Sequence, residues 1–352
     1  MLYKACLIKP DTSIKSAMFV MNQIGRKELF VVGSGDRLEG SLSDGDIRKW
    51  ILRDGRLDIS VWEICNRTPK SLPQNYDIEQ VKSLMLEQHI ESIPIVDNKS
   101  SVLDVLIWDK VFDGQGKSFF KNVDIPVVVM AGGKGTRLDP FTKILPKPLI
   151  PINDKPIIEI ILDRLSAQGM KNFFLILNYK AAMIKSYFEE VDTDCQITFI
   201  EEKDFLGTAG GLSLLPKTMP DTFLITNCDV IIDADYTDLL KFHRENRFVL
   251  TAIVSCRNFT VPYGVCEIEN GGVLKGMREK PEYNFLVNTG VYLMDKKLIS
   301  LFPAGLSCQM NELIELALGQ GLRVGAYPIQ EKHWIDIGQW DEFHKAIKLL
   351  GA

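Results

Sequence analysis

The sequence contains no apolar run long enough to cross a bilayer, and its first residues, Met1-Leu2-Tyr3-Lys4-Ala5, lack the apolar stretch of a secretory signal. It has no CxxC spacing. The seven cysteines, Cys6, Cys65, Cys195, Cys228, Cys256, Cys266 and Cys308, are scattered and odd in number, which argues against a disulfide framework and for buried, reduced thiols. Histidine is scarce: His89, His243, His333 and His344 form no metal-ligand spacing, and no catalytic role is assigned to any of them. Positive charge is not in excess either, since 41 Lys and Arg against 46 Asp and Glu leave a net charge of −5. That balance excludes a surface built to coat nucleic acid, while a local basic pocket for an anion stays open. The expectation is a soluble cytoplasmic protein with neither a membrane nor a nucleic-acid partner.

What is present is an ordinary globular composition, 46% hydrophobic and 25% charged over 352 residues, enough for two domains. The first is an internal repeat. Residues 8–55 align with 72–119 at a constant offset, placing Ile14 on Ile78, Met21 on Met85 and Phe30-Val31-Val32 on Pro94-Ile95-Val96. Each half reads as β-α-β-β-α. The first helix is expected over about Ser13 to Gln23, capped within Asp11-Thr12-Ser13, with Ala17, Met18 and Met21 at helical spacing. The repeat resembles a CBS-domain pair, which implies assembly into a homo-oligomer or adenine nucleotide binding between the repeats. In Gly40-Ser41-Leu42-Ser43-Asp44-Gly45-Asp46 the resemblance puts Ser43 on a phosphate and Asp46 on a ribose; plain helix capping is the competing reading. The second repeat carries Asp104, Ile107 and Lys110 at the corresponding places and departs from the motif at all three.

Gly114 to Ser118 is read as a linker, dividing the chain into 1–118 and 124–352. It lacks the glycine spacing of a P-loop, since position 111 is Val111. Beyond it, the apolar run Ile125-Pro126-Val127-Val128-Val129-Met130 leads into Ala131-Gly132-Gly133-Lys134-Gly135-Thr136-Arg137-Leu138. A buried strand entering a glycine loop suits phosphate, because backbone N–H groups converge on oxygen with no Cβ in the way. A dinucleotide fingerprint on Gly133 and Gly135 would need Gly or Ala at Leu138, so a redox cofactor site is disfavoured. Leu145-Pro146-Lys147-Pro148-Leu149 then holds a lysine between two prolines, stiffening the backbone around its ammonium.

GGxGTRL followed by PKP resembles the signature of the sugar-1-phosphate nucleotidylyltransferases, and the similarity continues to about residue 345. It implies an α/β fold, a Rossmann-like nucleotidyltransferase core with a mixed sheet, and the substrates NTP and sugar 1-phosphate. By that resemblance Gly132, Gly133, Gly135, Thr136 and Arg137 hold the NTP phosphates and Lys147 the α-phosphate, with Ala131 counted among the nucleotide-binding residues. Asp229, ending the apolar run from Phe223, and Asp336, in Trp334-Ile335-Asp336-Ile337-Gly338, would share one Mg²⁺. Gly264, Glu279, Lys280, Asn288 and Thr289 would form the sugar-phosphate pocket. Leu206-Gly207-Thr208-Ala209-Gly210 resembles the loop along the nucleoside. Five residues before Gly207 stands Glu202, whose acceptor-only carboxylate complements guanine's donors, so GTP is the expected nucleotide and UTP, dTTP or CTP the alternatives. Joined to a CBS pair, the catalytic segment resembles glucosamine-1-phosphate guanylyltransferases of bacterial legionaminic acid synthesis, with mannose-type and heptose 1-phosphates left open as substrates. A nucleotide sensor without turnover is the other reading of the same residues.

Overall fold

The structure is a computed structural model that describes residues 2–350 except 54, 89, 91, 108–110, 112–122, 304 and 339. Two compact units divide it, Met1–Phe120 and Lys121–Ala352. The linker expected at Gly114–Ser118 lies outside the described residues, as does Lys110.

In the first unit, β1 (Leu7–Ile8), β2 (Glu28–Val32) and β3 (Leu38–Ser43) form one sheet, and β4 (Leu72–Pro73), β5 (Ser92–Val96) and β6 (Val102–Ile107) form its counterpart. In both, the first pair is parallel and the second antiparallel. The repeat equivalents meet: Ser92 Oγ donates to Glu28 Oε2 at 2.7 Å, and Arg37 bridges to Ser101. Such contacts between positions one repeat apart are what a local two-fold axis produces. The first helix spans Ile14–Ile24, with Ser13 as its N-cap accepting from Ser16 N and Gly25 closing it in the left-handed region. Met21 and Met85 are both fully buried, but Ile14 is buried and Ile78 is 41% exposed, so the apolar match at that pair is not a shared core position.

The second unit is built on a seven-stranded sheet of order β11-β10-β7-β12-β17-β14-β18. Its members are β7 (Val127–Met130), β10 (Asn172–Leu177), β11 (Gln196–Glu201), β12 (Thr222–Asn227), β14 (Leu250–Thr260), β17 (Glu282–Asp295) and β18 (Val324–Gln330). Only β17 runs against its neighbours, which makes the sheet mixed. β7 is apolar because both its faces are covered: Val127 and Val129 belong to one core cluster and Val128 to another. The helix Ile157–Ala167 shows why its sequence is helical. Ile157, Ile158, Ile161, Leu162 and Leu165 fall on one stripe and all are buried, each contributing roughly 1.5–3 kcal/mol of transfer free energy. Six short strands complete the set: β8 (Pro151–Ile152) with β9 (Lys155–Pro156), and two pairs that bear on the site. β13 (Val230–Ile232) pairs with β19 (Trp334–Asp336), and β15 (Val265–Ile268) with β16 (Leu274–Arg278).

All seven cysteines are free; Cys6, Cys65, Cys228 and Cys308 are buried, whereas Cys195 and Cys256 are half-buried and Cys266 is exposed, contrary to the expectation that all lie inside. Among the described residues no helix is long and apolar enough to cross a membrane.

Candidate active site

The strand ends decide what meets. β7 and β12 lie side by side and parallel, so the glycine loop after Met130 and the turn after Asn227 emerge at the same edge of the sheet. β13 follows that turn at once and pairs antiparallel with β19, setting Val230 opposite Asp336; Ile337 N donates to Asp229 O at 2.8 Å. Two carboxylates separated by about a hundred residues are thereby joined. Gly338 closes the group. A Cβ there would lie 2.8 Å from Asp336 Oδ1, 2.9 Å from Asp229 Oδ2 and 3.3 Å from Arg137 Nη2, so only glycine leaves these three charged groups their space.

Lys147 pairs with Asp229 Oδ2, and both are 7% exposed. The pairing follows from burial, since either ion alone in this setting would be strongly unfavourable. The lysine stem is held by Gly135, where φ is +68° and an added Cβ would stand 2.9 Å from Lys147 Cβ. Burial raises the Asp336 carboxyl above its ordinary range and the Asp229 charge adds to this, against the Gly338 N–H (2.8 Å), Lys147 and Arg137, which act the other way. Asp229 and Asp336, two carboxylates beside two cations, are oxygen donors of the kind that would suit a divalent cation. Among the described residues no cluster of three or more His, Cys, Asp or Glu side chains could cage a metal unaided. The pair therefore fits Mg²⁺, which takes one or two carboxylates and completes its shell with water and substrate oxygens.

Not every residue of the glycine loop faces outward. Ala131, expected among the nucleotide-binding residues, is 1% exposed, its side chain is in the core, and its N–H donates to Ile176 O at 2.9 Å, so its side chain and N–H serve packing. Gly132 is buried, Gly133 is open, and Thr136 and Arg137 are exposed.

Glu202 is 3% exposed, not a solvated charge of the Glu201-Glu202-Lys203 run. Its carboxylate fills the gap between the phosphate loop and the second glycine turn: a Cβ at Gly132 would lie 3.0 Å from Oε2 and one at Gly211 2.4 Å from Oε1. Gly207 has φ +82° and approaches Cys308 O too closely for any side chain. The Thr208 hydroxyl accepts from Met310 N at 2.8 Å and donates to Gln309 Oε1 at 3.2 Å, anchoring the turn to the helix Met310–Gly319.

The residues expected around the sugar divide likewise. Gly264 and Glu279 come together across the base of the β15–β16 hairpin, a Cβ on the former meeting Oε2 of the latter at 3.0 Å, and Lys280 N donates to Tyr263 O. Glu279 and Lys280 are exposed. Thr289, by contrast, is 2% exposed and gives its hydroxyl to Ile253 O at 2.8 Å; Asn288 Nδ2 donates to Tyr292 O–H at 2.6 Å and its Oδ1 accepts from Gly290 N. Both hold β17 in place; Asn288 keeps a second Nδ2 hydrogen and a second Oδ1 lone pair beyond these bonds, whereas Thr289 is buried with its hydroxyl hydrogen already given to the backbone. Gly338, Gly211 and Asn227, which packs under Gly290 at 2.4 Å from a Cβ there, were missed as site residues. Their neighbours are remote in sequence, so spacing alone carries no signal of them.

In the first unit Ser43 and Asp46 form a capping box: Asp46 N donates to Ser43 Oγ at 3.2 Å, and Ser43 N and Oγ donate to Asp46 Oδ2 at 2.9 and 2.6 Å. That is the capping arrangement, with both side chains engaged.

This chain belongs to the nucleotidyl transferase family, whose model matches residues 126–351; a CBS domain model matches residues 5–53. It is similar to a UTP–glucose-1-phosphate uridylyltransferase of Synechocystis (31% identity, 63% of this chain and 62% of that one). It is also similar to a mannose-1-phosphate guanylyltransferase of Mycobacterium tuberculosis (30%, 62% and 62%) and to a D-glycero-alpha-D-manno-heptose 1-phosphate guanylyltransferase of Campylobacter jejuni (29%, 62% and 96%). The chain thus spans under two thirds of the first two relatives' length. Among solved structures, HddC from Yersinia pseudotuberculosis matches with a TM-score of 0.51 at 26% identity, over 64% of this chain and 99% of that one.

Proposed function

We propose that the protein transfers a nucleotidyl group from a nucleoside triphosphate, GTP by preference, to a sugar 1-phosphate, releasing pyrophosphate. The observation that carries this reading is the convergence of Arg137, Lys147, Asp229 and Asp336 around the one position, Gly338, that no other residue could occupy without displacing them.

In the reaction a phosphate oxygen of the sugar 1-phosphate bonds to the α-phosphorus, and the bond from that phosphorus to the bridging oxygen of pyrophosphate breaks. The nucleophile is already ionised, so no side chain has to remove a proton; what is needed is positive charge along the triphosphate and alignment of the two oxygens. Gly133 and Gly135 leave backbone N–H groups open to phosphate, and Arg137 adds its guanidinium. Lys147 is held by Asp229 before substrate arrives. An α-phosphate oxygen then takes over the ammonium, which stabilises charge that grows as pyrophosphate departs. Asp229 and Asp336 would hold Mg²⁺, which when bound supplies further positive charge to the phosphates. Glu279 and Lys280, with the close approach at Gly264, would meet the sugar and its phosphate, while Asn288 and Thr289 keep the supporting strand rigid.

The base assignment rests on the buried acceptor of Glu202 beside both glycine turns, and two of the relatives named above are guanylyltransferases. Glucosamine, mannose-type and heptose 1-phosphates are the acceptors to examine first. For the first unit, 1–118 as a separate regulatory or assembly domain remains the reading, with adenine nucleotide as its ligand only if binding opens the Ser43–Asp46 box. The test is pyrophosphate release from each NTP paired with each sugar 1-phosphate in the presence of Mg²⁺. Release from at least one pair is expected; nucleotide binding without release from any pair would leave a sensor instead.

A further inference from the structure

Glu202 is held where it stands by its backbone. Its N–H donates to Leu177 O at 2.8 Å, and its carbonyl accepts from Asn178 Nδ2 at 3.0 Å, which ties the end of β11 to the end of β10. The side chain turns inward. Among the described residues one donor reaches the carboxylate, the Leu206 N–H, and Oε1 is buried with no hydrogen-bond partner. A buried acceptor without a hydrogen bond is unfavourable, so its persistence beside two glycines calls for a ligand.

The charges on the surrounding elements do not balance it. Lys134 on the phosphate loop is exposed; Lys180, after β10, donates to the carbonyls of Lys143 and Ile144; Glu201 is paired with Lys185; and Lys203 and Asp204 point to solvent. Burial acts on the carboxyl opposed by a single N–H and pushes it up to about 7. Both protonation states are therefore populated in the physiological range.

The two states are different recognition groups. A carboxylate offers acceptors alone and matches the N1–H and N2–H of guanine. A carboxylic acid offers one O–H donor beside one carbonyl acceptor, the pattern of a primary amide, and matches the imide edge of uracil or thymine, where N3–H donates and a carbonyl accepts.

We propose that Glu202 selects the nucleobase by its charge state, taking guanine when ionised and uracil or thymine when protonated, so that proton concentration sets the nucleotide preference of one pocket. This rests on the reading of Glu202 as the base contact. The full-length protein, supplied with GTP and UTP in competition and one sugar 1-phosphate, reads it directly. Titration of the acceptor and of the triphosphate is common to both nucleotides and cancels in the ratio of kcat/KM. That ratio, GTP over UTP, should fall at least about ten-fold between pH 8 and pH 6, strict exclusion giving roughly ten-fold per unit on either side of the midpoint. Glu202→Gln, an amide in place of the acid, should hold the low-pH ratio at every pH. A flat wild-type ratio with an altered preference in Glu202→Gln would overturn the proposal and leave the base contact standing. An unaltered preference in the variant would overturn both. Should the variant not fold, calorimetric affinities of GTP and UTP for the wild-type protein at the two pH values decide the matter, parallel affinities sinking the proposal.

Discussion

At the scale of single residues the site consists of ions that are stable only in each other's company. Replacing Lys147 by Ala strands the Asp229 charge at 7% exposure, so two effects are expected. One is a loss of about 3–5 kcal/mol of stability in the absence of Mg²⁺. The other is a fall in kcat of about 10²-fold or more, since a charge that stabilises the transition state is gone. Denaturant titration and steady-state kinetics separate the two, and a change confined to the KM for the sugar would remove Lys147 from the α-phosphate. Glu202 makes a prediction of its own through its raised protonation equilibrium. Its folded form holds a proton up to about pH 7, while in the unfolded chain the group ionises near 4.5. Stability from this group is thus complete below about pH 4.5 and lost as pH rises through about 7, on the order of 3 kcal/mol in all. Glu202→Gln should leave the melting temperature unchanged at pH 4.5 and raise it at pH 8; equal shifts at both would mean that the carboxyl is not ionised with difficulty.

At the scale of elements, the short pairing of β13 with β19 does what no long strand does: it carries Asp336 across to Asp229. The turn after β19 then needs glycine at 338. In Gly338→Ala the new Cβ would meet only the ends of flexible side chains, Asp336 Oδ1, Asp229 Oδ2 and Arg137 Nη2, at 2.8–3.3 Å. Those groups can swing aside while the backbone stays. The expected outcome is a rise of ten-fold or more in the Mg²⁺ concentration for half-maximal activity, with the melting temperature within a few degrees of wild type. Unchanged Mg²⁺ dependence would show that the carboxylates do not act together. The second glycine turn is fixed from outside itself, through the Thr208 hydroxyl on Met310 N and the close approach of Gly207 and Gly210 to the segment around Cys308.

On the scale of the whole molecule, every residue proposed for catalysis lies in Lys121–Ala352, and so do both large core clusters. About 230 residues can bury a core without help. A protein lacking residues 1–118 is expected to be soluble, to melt cooperatively and to retain nucleotidyl transfer, measured as pyrophosphate release. An inactive or insoluble product would mean that the repeats complete the catalytic unit. Within the repeats, a local two-fold arrangement follows from contacts such as Glu28 with Ser92, whose separation is the repeat offset itself.

The order of motifs, the strand before the glycine loop and the helix cap at Ser13 were legible in the sequence, because each depends on neighbours a few residues away: alternation of buried faces, a left-handed φ, a hydroxyl reaching the next turn. Resemblance supplied the joint roles of Asp229 and Asp336 as well. What no spacing could tell is how each side chain is used. Thr289, Thr208 and Ala131 stand in the expected places but turn their atoms to Ile253, Met310 and the core, and Ser43 and Asp46 turn theirs to each other. The state of Glu202 was likewise undecided. A carboxylate in a charged run reads as solvated until the fold packs it between Gly132 and Gly211, and the removal of water, which only tertiary packing achieves, is what changes its chemistry.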